Sequence, residues 1–171
     1  MSAQDEILGS RAVHVRELRS EISALKAQNA ALKAENESLK SHFHLAVLAA
    51  SDLHELAPGG VFRIYDGWNL VLGADRIASS RDELAAIVEK ELENNPRDLA
   101  WIVYDGPEEN SRRKGRLRIS YTGGEGGQRA DRLIVDFIRM ARMTGTDPRI
   151  EVATSDRGLK RAAEKLLSRR K

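Results

Sequence analysis

Between residues 15 and 39 apolar side chains return every seven residues: Leu18, Leu25, Leu32 and Leu39 at one seam position, Val15, Ile22, Asn29 and Asn36 at the other. Leucine throughout one seam position, with Val, Ile or Asn at the other, favours two parallel helices. The flanking charges agree, since Glu21 and Glu35 would face Lys26 and Lys40 of a second copy, and Gln28 opposite Lys33 is neutral. Asn29 and Asn36 weaken such a seam, yet they penalise slipped registers that would set Asn against Leu or Ile. Ala, Lys, Glu and Gln fill the remaining positions, and at ~1.5 Å per residue the stretch 11–43 makes a helix about 50 Å long. A helix lying on its own domain needs an apolar stripe wider than two positions in seven. The expectation is therefore a parallel homodimer joined through Leu18, Ile22, Leu25, Asn29, Leu32, Asn36 and Leu39. Helical, Ala-rich character continues to Leu56, and Ala57-Pro58-Gly59-Gly60 stops it. This divides the chain into a coiled-coil helix and linker, 1–57, and a globular domain, 58–171.

Beyond Gly60 short apolar runs alternate with amphipathic segments, the pattern of βα units and a mostly parallel sheet. Strands are predicted over 61–65, 99–104, 116–121 and 150–154. Helices are predicted over 81–93, capped by Ser80, and over 129–143 and 157–168. The fold class expected is a compact α/β domain with four parallel strands and covering helices.

Composition narrows the chemistry. The chain has no cysteine, which excludes disulfides, thiolate metal sites and cysteine nucleophiles. Four histidines remain, and His42 and His44, two apart, diverge on a helix. No apolar run approaches the roughly 18–20 residues of a membrane span, and the N-terminus lacks the basic start and apolar stretch of a signal peptide. A cytoplasmic protein with no membrane partner is expected. The net charge of +2 is uneven: residues 1–57 hold 6 Lys/Arg against 8 Asp/Glu, and residues 58–171 hold 22 against 18. The positive charge gathers at Arg112, Arg113, Lys114, Arg116 and Arg118 and in the C-terminal tail, predicting contact with a polyanion whose affinity falls steeply with salt.

In parallel sheets of this class the working surface lies beyond the carboxyl ends of the strands. The first predicted strand runs into Asp66-Gly67-Trp68-Asn69, the second into Asp105-Gly106, and the fourth into Thr154-Ser155-Asp156. The third leads through Gly123, Gly124, Glu125, Gly126 and Gly127 to Ala130-Asp131 at a helix start. Each aspartate has a local explanation in turn formation, helix capping or the helix dipole. Gathered at one rim, however, four carboxylates repel one another unless a cation neutralises them. Oxygen-only ligands suit Mg²⁺ or Mn²⁺. The glycine-rich stretch is not a phosphate-binding loop, because no Gly-Lys-Ser/Thr follows it.

Asp66-Gly-Trp-Asn69 resembles the D-G-x-N signature that opens NYN domains, nucleases of the PIN-like superfamily, and especially their YacP-like branch. Tyr104-Asp105-Gly106, Ala130-Asp131 and Ala153-Thr154-Ser155-Asp156-Arg157 resemble the later motifs of that branch, in order. The likeness covers about residues 61–167 and none of the zipper. It implies a three-layer PIN-like fold and a metal-dependent ribonuclease with Asp66, Asp105, Asp131 and Asp156 as the metal-binding acids and Asn69 as their polar companion in catalysis. Products with 5′-phosphate and 3′-hydroxyl ends are also implied. Members often carry a second acid after the Ala-Asp pair and a Glu before it, where this chain has Arg132 and Gln128. Arg112, Arg113, Lys114, Arg116, Thr154, Ser155 and Arg157 are the expected RNA contacts. A second reading is an RNA-binding adaptor on a nuclease fold that does not cut. A phosphoacceptor receiver domain ranks low, because it needs an adjacent acid pair after the first strand and a later lysine. The sequence carries no motif that names a ribosomal or RNA-processing partner.

Overall fold

A computed structural model describes residues 3–124, 128–143 and 148–168, with the backbone alone for 3–13, 38, 41 and 42. Glu125, Gly126 and Gly127 of the glycine-rich stretch, and Arg169, Arg170 and Lys171 of the basic tail, lie outside the described residues. The chain divides into two units, one up to Leu39 and one from Lys40 onward.

The first unit consists of helix α1 (Ala3–Asp52), whose last turns belong to the second unit. The apolar seam residues Val15, Leu18, Ile22, Leu25, Leu32 and Leu39 are 43–59% exposed, so the stripe read from the heptads is a solvent-facing one in this chain. Among the described residues no helix is long and apolar enough to cross a membrane.

The second unit begins earlier than the Ala57–Gly60 break, because Leu45, Ala46 and Ala49 of α1 are at most 3% exposed and belong to its core. A 3₁₀ turn (Leu53–Glu55) ends the helical stretch. The elements that follow are β1 (Val61–Asp66), α2 (Gly67–Leu72), α3 (Arg81–Asn94), β2 (Leu99–Tyr104), β3 (Glu109–Lys114), β4 (Leu117–Thr122), α4 (Arg129–Met143), β5 (Arg149–Ala153) and α5 (Arg157–Leu167). One five-stranded sheet has the order β3-β4-β2-β1-β5. The β1·β2, β1·β5 and β2·β4 pairs are parallel, as predicted, while β3 is an antiparallel edge paired with β4.

Alternation along the strands divides the core between two faces. Phe62 and Ile64 of β1 and Leu99, Trp101 and Val103 of β2 point to α1, α4 and α5. Ala100, Ile102 and Tyr104 of β2 and Leu117 and Ile119 of β4 point to α2 and α3. Strand β2 is buried at all its positions, as a strand covered by helices on both faces must be. Helix α3 begins as read from the sequence, with Ser80 Oγ accepting from the backbone N–H of Glu83 at 3.1 Å.

Residues 112–114, for which no strand is predicted, lie in the edge strand β3. Arg113 Nη1 donates to Asp52 Oδ1 at 2.9 Å and to Glu55 Oε1 at 2.6 Å, and Lys114 pairs with Glu89 at 2.8 Å. Arg116 gives its guanidinium N–H groups to the carbonyls of Leu92, Asn95 and Asp98, where a cation complements the carboxyl end of α3. These three side chains, expected as RNA contacts, are engaged within the domain. Arg112, on the opposite side of β3 from Arg113, is exposed.

Candidate functional site

The sequence reverses direction across the sheet between β1 and β5: the chain proceeds outward through β2 to β4 and then returns by α4 to the far side of β1. Asp66 closes β1, Asp105 follows β2, Asp131 lies in the first turn of α4, and Asp156 is the N-cap of α5. Parallel pairing of β1 with both β2 and β5 puts three of these positions at neighbouring carboxyl ends.

Asp66 is 3% exposed. Its Oδ2 accepts hydrogen bonds from Asn69 Nδ2 and, at 2.8 Å, from Thr154 Oγ1. Burial raises its carboxyl above the usual range, these two bonds act in the opposite sense, and the charge of Asp105 raises it further. Ser155 Oγ donates to the backbone O of Asn69 at 3.3 Å, and the backbone N–H of Asp156 donates to Thr154 Oγ1 at 3.0 Å. Thus Asn69, Thr154 and Ser155 form one hydrogen-bonded strap that fixes Asp66 between β1, α2 and β5. Gly67 makes this packing possible: a Cβ there would stand 2.2 Å from the Tyr104 ring. The Asp-Gly pair, a turn signal in the sequence, marks a close approach.

Asp105 and Asp156 each support a helix start. Asp105 Oδ1 accepts from the Ala130 backbone N–H at 2.8 Å and from Thr122 Oγ1 at 3.2 Å, and Asp156 Oδ1 accepts from the Leu159 N–H at 2.8 Å. The capping read from the sequence for Asp156 is present, and Asp105, read there as part of a turn, supports the start of α4 in the same way; both bonds hold the amino ends of α4 and α5 at the rim.

Asp131 is half-buried, and its carboxyl is pushed up to about 6 by burial and then by the charges of Asp66, Asp156 and Asp105. The four aspartates accordingly share one electrostatic field. Among the described residues no three acidic or histidine side chains stand together as a direct ligand set. Mg²⁺ ordinarily keeps several waters and takes only one or two carboxylates directly, so an all-oxygen rim in mutual repulsion fits it without a closed cage.

The raised Asp131 value has a consequence for stability. A carboxyl whose folded pKa lies above its unfolded one binds its proton more tightly in the native state. Its stabilising contribution is complete below about pH 4 and disappears as the pH rises through about 6. Asp131→Asn is therefore expected to raise stability at pH 7 by about 1–2 kcal/mol, after allowance for solvent screening at a half-buried site, and to give no gain near pH 4. Urea unfolding of both proteins across that range checks it; an equal effect at both pH values would refute the shared field.

Two further features lie beside the acids. A groove of about 610 Å³ lined by Asp131, Arg132, Val135, Arg139, Asp156 and Leu159 runs between α4 and α5. On the other side Trp68, Tyr104 and Tyr121 form an aromatic group. Trp68 meets Tyr104 edge-on at 5.3 Å, Tyr104 stacks on Tyr121 at 5.3 Å, and Trp68 Nε1 donates to the Asp105 carbonyl at 2.6 Å. All three adjoin predicted strand ends in the sequence; their contacts with one another are what the structure adds. Arg157 is exposed in the first turn of α5, and Thr154 and Ser155 are partly buried at the rim. In comparisons with known proteins, no family model, no curated protein and no solved structure matches this chain.

Proposed function

We propose that this chain is a metal-dependent endoribonuclease of the NYN, PIN-like kind, using Mg²⁺ or Mn²⁺ at its aspartate rim and dimerised by α1. The observation that carries the reading is the placement of Asp66, Asp105 and Asp156 at neighbouring carboxyl ends of the parallel strands, with Asp131 in the first turn of α4. Structural capping alone accounts for Asp105 and Asp156 but not for the burial of Asp66 or the position of Asp131. Asp66 and Asp131, both raised by burial and by neighbouring carboxylates, are the kind of perturbed group that marks a functional site.

Asp66 and Asp131 would hold the cation, with Asp105 and Asp156 adding negative charge around it. When bound, it supplies Lewis-acid stabilisation of the phosphoryl oxygens and a water acidic enough to attack near neutral pH. Asn69 and Thr154 keep the Asp66 carboxylate in one orientation through their hydrogen bonds. Helices α4 and α5 present their amino ends at the rim, which favours a bound phosphate. Arg157 and Arg112, both exposed, remain available for the flanking backbone.

The test is incubation of labelled single-stranded RNA with Mg²⁺, Mn²⁺ or EDTA. Cleavage with either metal, products carrying 5′-phosphate, and no cleavage in EDTA are expected. The second reading, an RNA-binding adaptor that does not cut, is favoured by the commitment of Asp105 and Asp156 to helix caps. RNA retention without cleavage would select it, and absence of both would remove RNA from the account.

The exposed heptad seam of α1 would be covered by a second copy, matched by the Glu21/Glu35 and Lys26/Lys40 charges. Sedimentation is expected to give a concentration-dependent mass approaching the dimer, and Leu18→Lys with Leu25→Lys a monomer. A strict monomer at high concentration would refute the zipper.

A further inference from the structure

Four carboxylates at one rim oppose the approach of a phosphodiester, so an RNA strand needs a cation that the protein's own acids have not already neutralised. The expected basic run provides little of it, since Arg113, Lys114 and Arg116 are engaged within the domain and Arg112 alone of that run is left exposed. Arg118 is likewise committed to Asp52, at 2.6 Å.

Arg81 differs from these. It is exposed, and its guanidinium carbon lies 5.8 Å from the centroids of both the Trp68 and the Tyr121 rings. Among the described residues it has no carboxylate partner. Among the described residues its guanidinium makes one hydrogen bond to the protein, a long one of 3.4 Å from Nη1 to the Tyr121 hydroxyl. The two rings that hold it belong to the acidic rim: Trp68 Nε1 is bonded to the Asp105 carbonyl, and Tyr121 precedes Thr122, whose hydroxyl bonds Asp105 Oδ1. Tyr104, buried beneath both rings and packed against Gly67, keeps them in place.

We infer that Arg81 is a phosphate-binding residue for the RNA strand, oriented by the Trp68–Tyr121 bracket so that it grips a backbone phosphate next to the aspartate rim. The inference rests on the ribonuclease reading and adds a substrate contact to it. Cation–π attraction to two rings, together with the bond from Nη1 to the Tyr121 hydroxyl, restrains the guanidinium while leaving its other N–H groups without a protein acceptor among the described residues. A guanidinium so restrained loses little side-chain freedom on forming a bidentate pair with phosphate. Lysine supplies the charge without the planar guanidinium.

The test measures binding of a single-stranded oligouridylate to the full chain, with Ca²⁺ in place of Mg²⁺ to prevent turnover, over a series of salt concentrations. Arg81→Gln is expected to weaken binding about tenfold at low salt and to reduce the slope of log affinity against log salt by about 0.7, one phosphate contact on a single strand. Arg81→Lys is expected to keep the slope and lose part of the affinity. A merely structural role would lower affinity with the slope unchanged in Arg81→Gln, and that result would overturn the inference, as would unaltered affinity. If the unsubstituted protein binds no RNA, the ribonuclease reading itself fails and this inference with it; if that protein binds and only the Arg81 effects are missing, this inference fails alone.

Discussion

Asp66→Asn is expected to abolish metal-dependent RNA cleavage, slowing it by about 10³-fold or more, while leaving the protein folded. The size follows from the several kcal/mol that a bound cation contributes to the transition state, at about 1.4 kcal/mol for each tenfold in rate. The folding expectation follows from the hydrogen bonds. Asp66 Oδ2 accepts from Asn69 and Thr154, and the amide oxygen of Asn accepts both without a buried charge. Since burial and the neighbouring Asp105 already raise the Asp66 carboxyl, removing the charge relieves repulsion and should hold or slightly increase the unfolding midpoint. A single-turnover cleavage assay beside a urea titration separates the two effects. Retained cleavage in Asp66→Asn would remove this aspartate from the machinery. Asp156→Asn should reduce cleavage in the same assay while keeping the α5 cap, because its amide oxygen still accepts from the Leu159 N–H.

A comparably large effect, this time on folding, is expected at Asp52. It is 4% exposed and accepts from Arg118 Nε at 2.6 Å, from Arg118 Nη2 at 2.8 Å and from Arg113 Nη1 at 2.9 Å. Removing one partner of a buried pair leaves the other charge unneutralised, at a cost of about 3–5 kcal/mol. Asp52→Ala should lower stability by that amount, because Arg118, 8% exposed, would keep only Ser111 Oγ at 3.1 Å among these bonds. Replacing both partners with apolar residues, Asp52→Leu with Arg118→Met, should recover much of the loss, since an apolar pair of similar volume avoids the desolvation cost. Urea unfolding of the three proteins decides it; a loss below about 1 kcal/mol in Asp52→Ala would show that water or another group compensates Arg118.

The four parallel strands were legible because their residues are apolar runs bounded by Gly, Pro or Asp, and the Ser80 and Asp156 caps were legible from residue type and position. Strand β3 was not, for a physical reason. Glu109, Ser111 and Arg113 alternate with Asn110, Arg112 and Lys114, so period-two alternation is present but carries no hydrophobic contrast. The Asp52–Arg118 pair was equally hidden, because it joins residues 66 positions apart whose meeting depends on the sheet being assembled. At the rim, the aspartates could be listed from the strand ends. That Asp105 and Asp156 also cap helices while Asp131 bears the shared repulsion required the packed geometry. Arg81 gave no signal at all, since it follows a capping serine and reads as an ordinary first-turn residue.

The two outer strands of the sheet have a consequence for how the protein behaves without the proposed zipper. Strand β3 is polar at every position, and β5 carries Arg149 and Glu151, with Glu151 bonded to Arg63 on the neighbouring strand. Open backbone edges invite strand addition from another chain, and charged side chains along them oppose it. A variant with the heptad seam disrupted should therefore stay in solution as a monomer instead of forming sheet aggregates, which would let the proposed dimer and the proposed activity be studied one without the other.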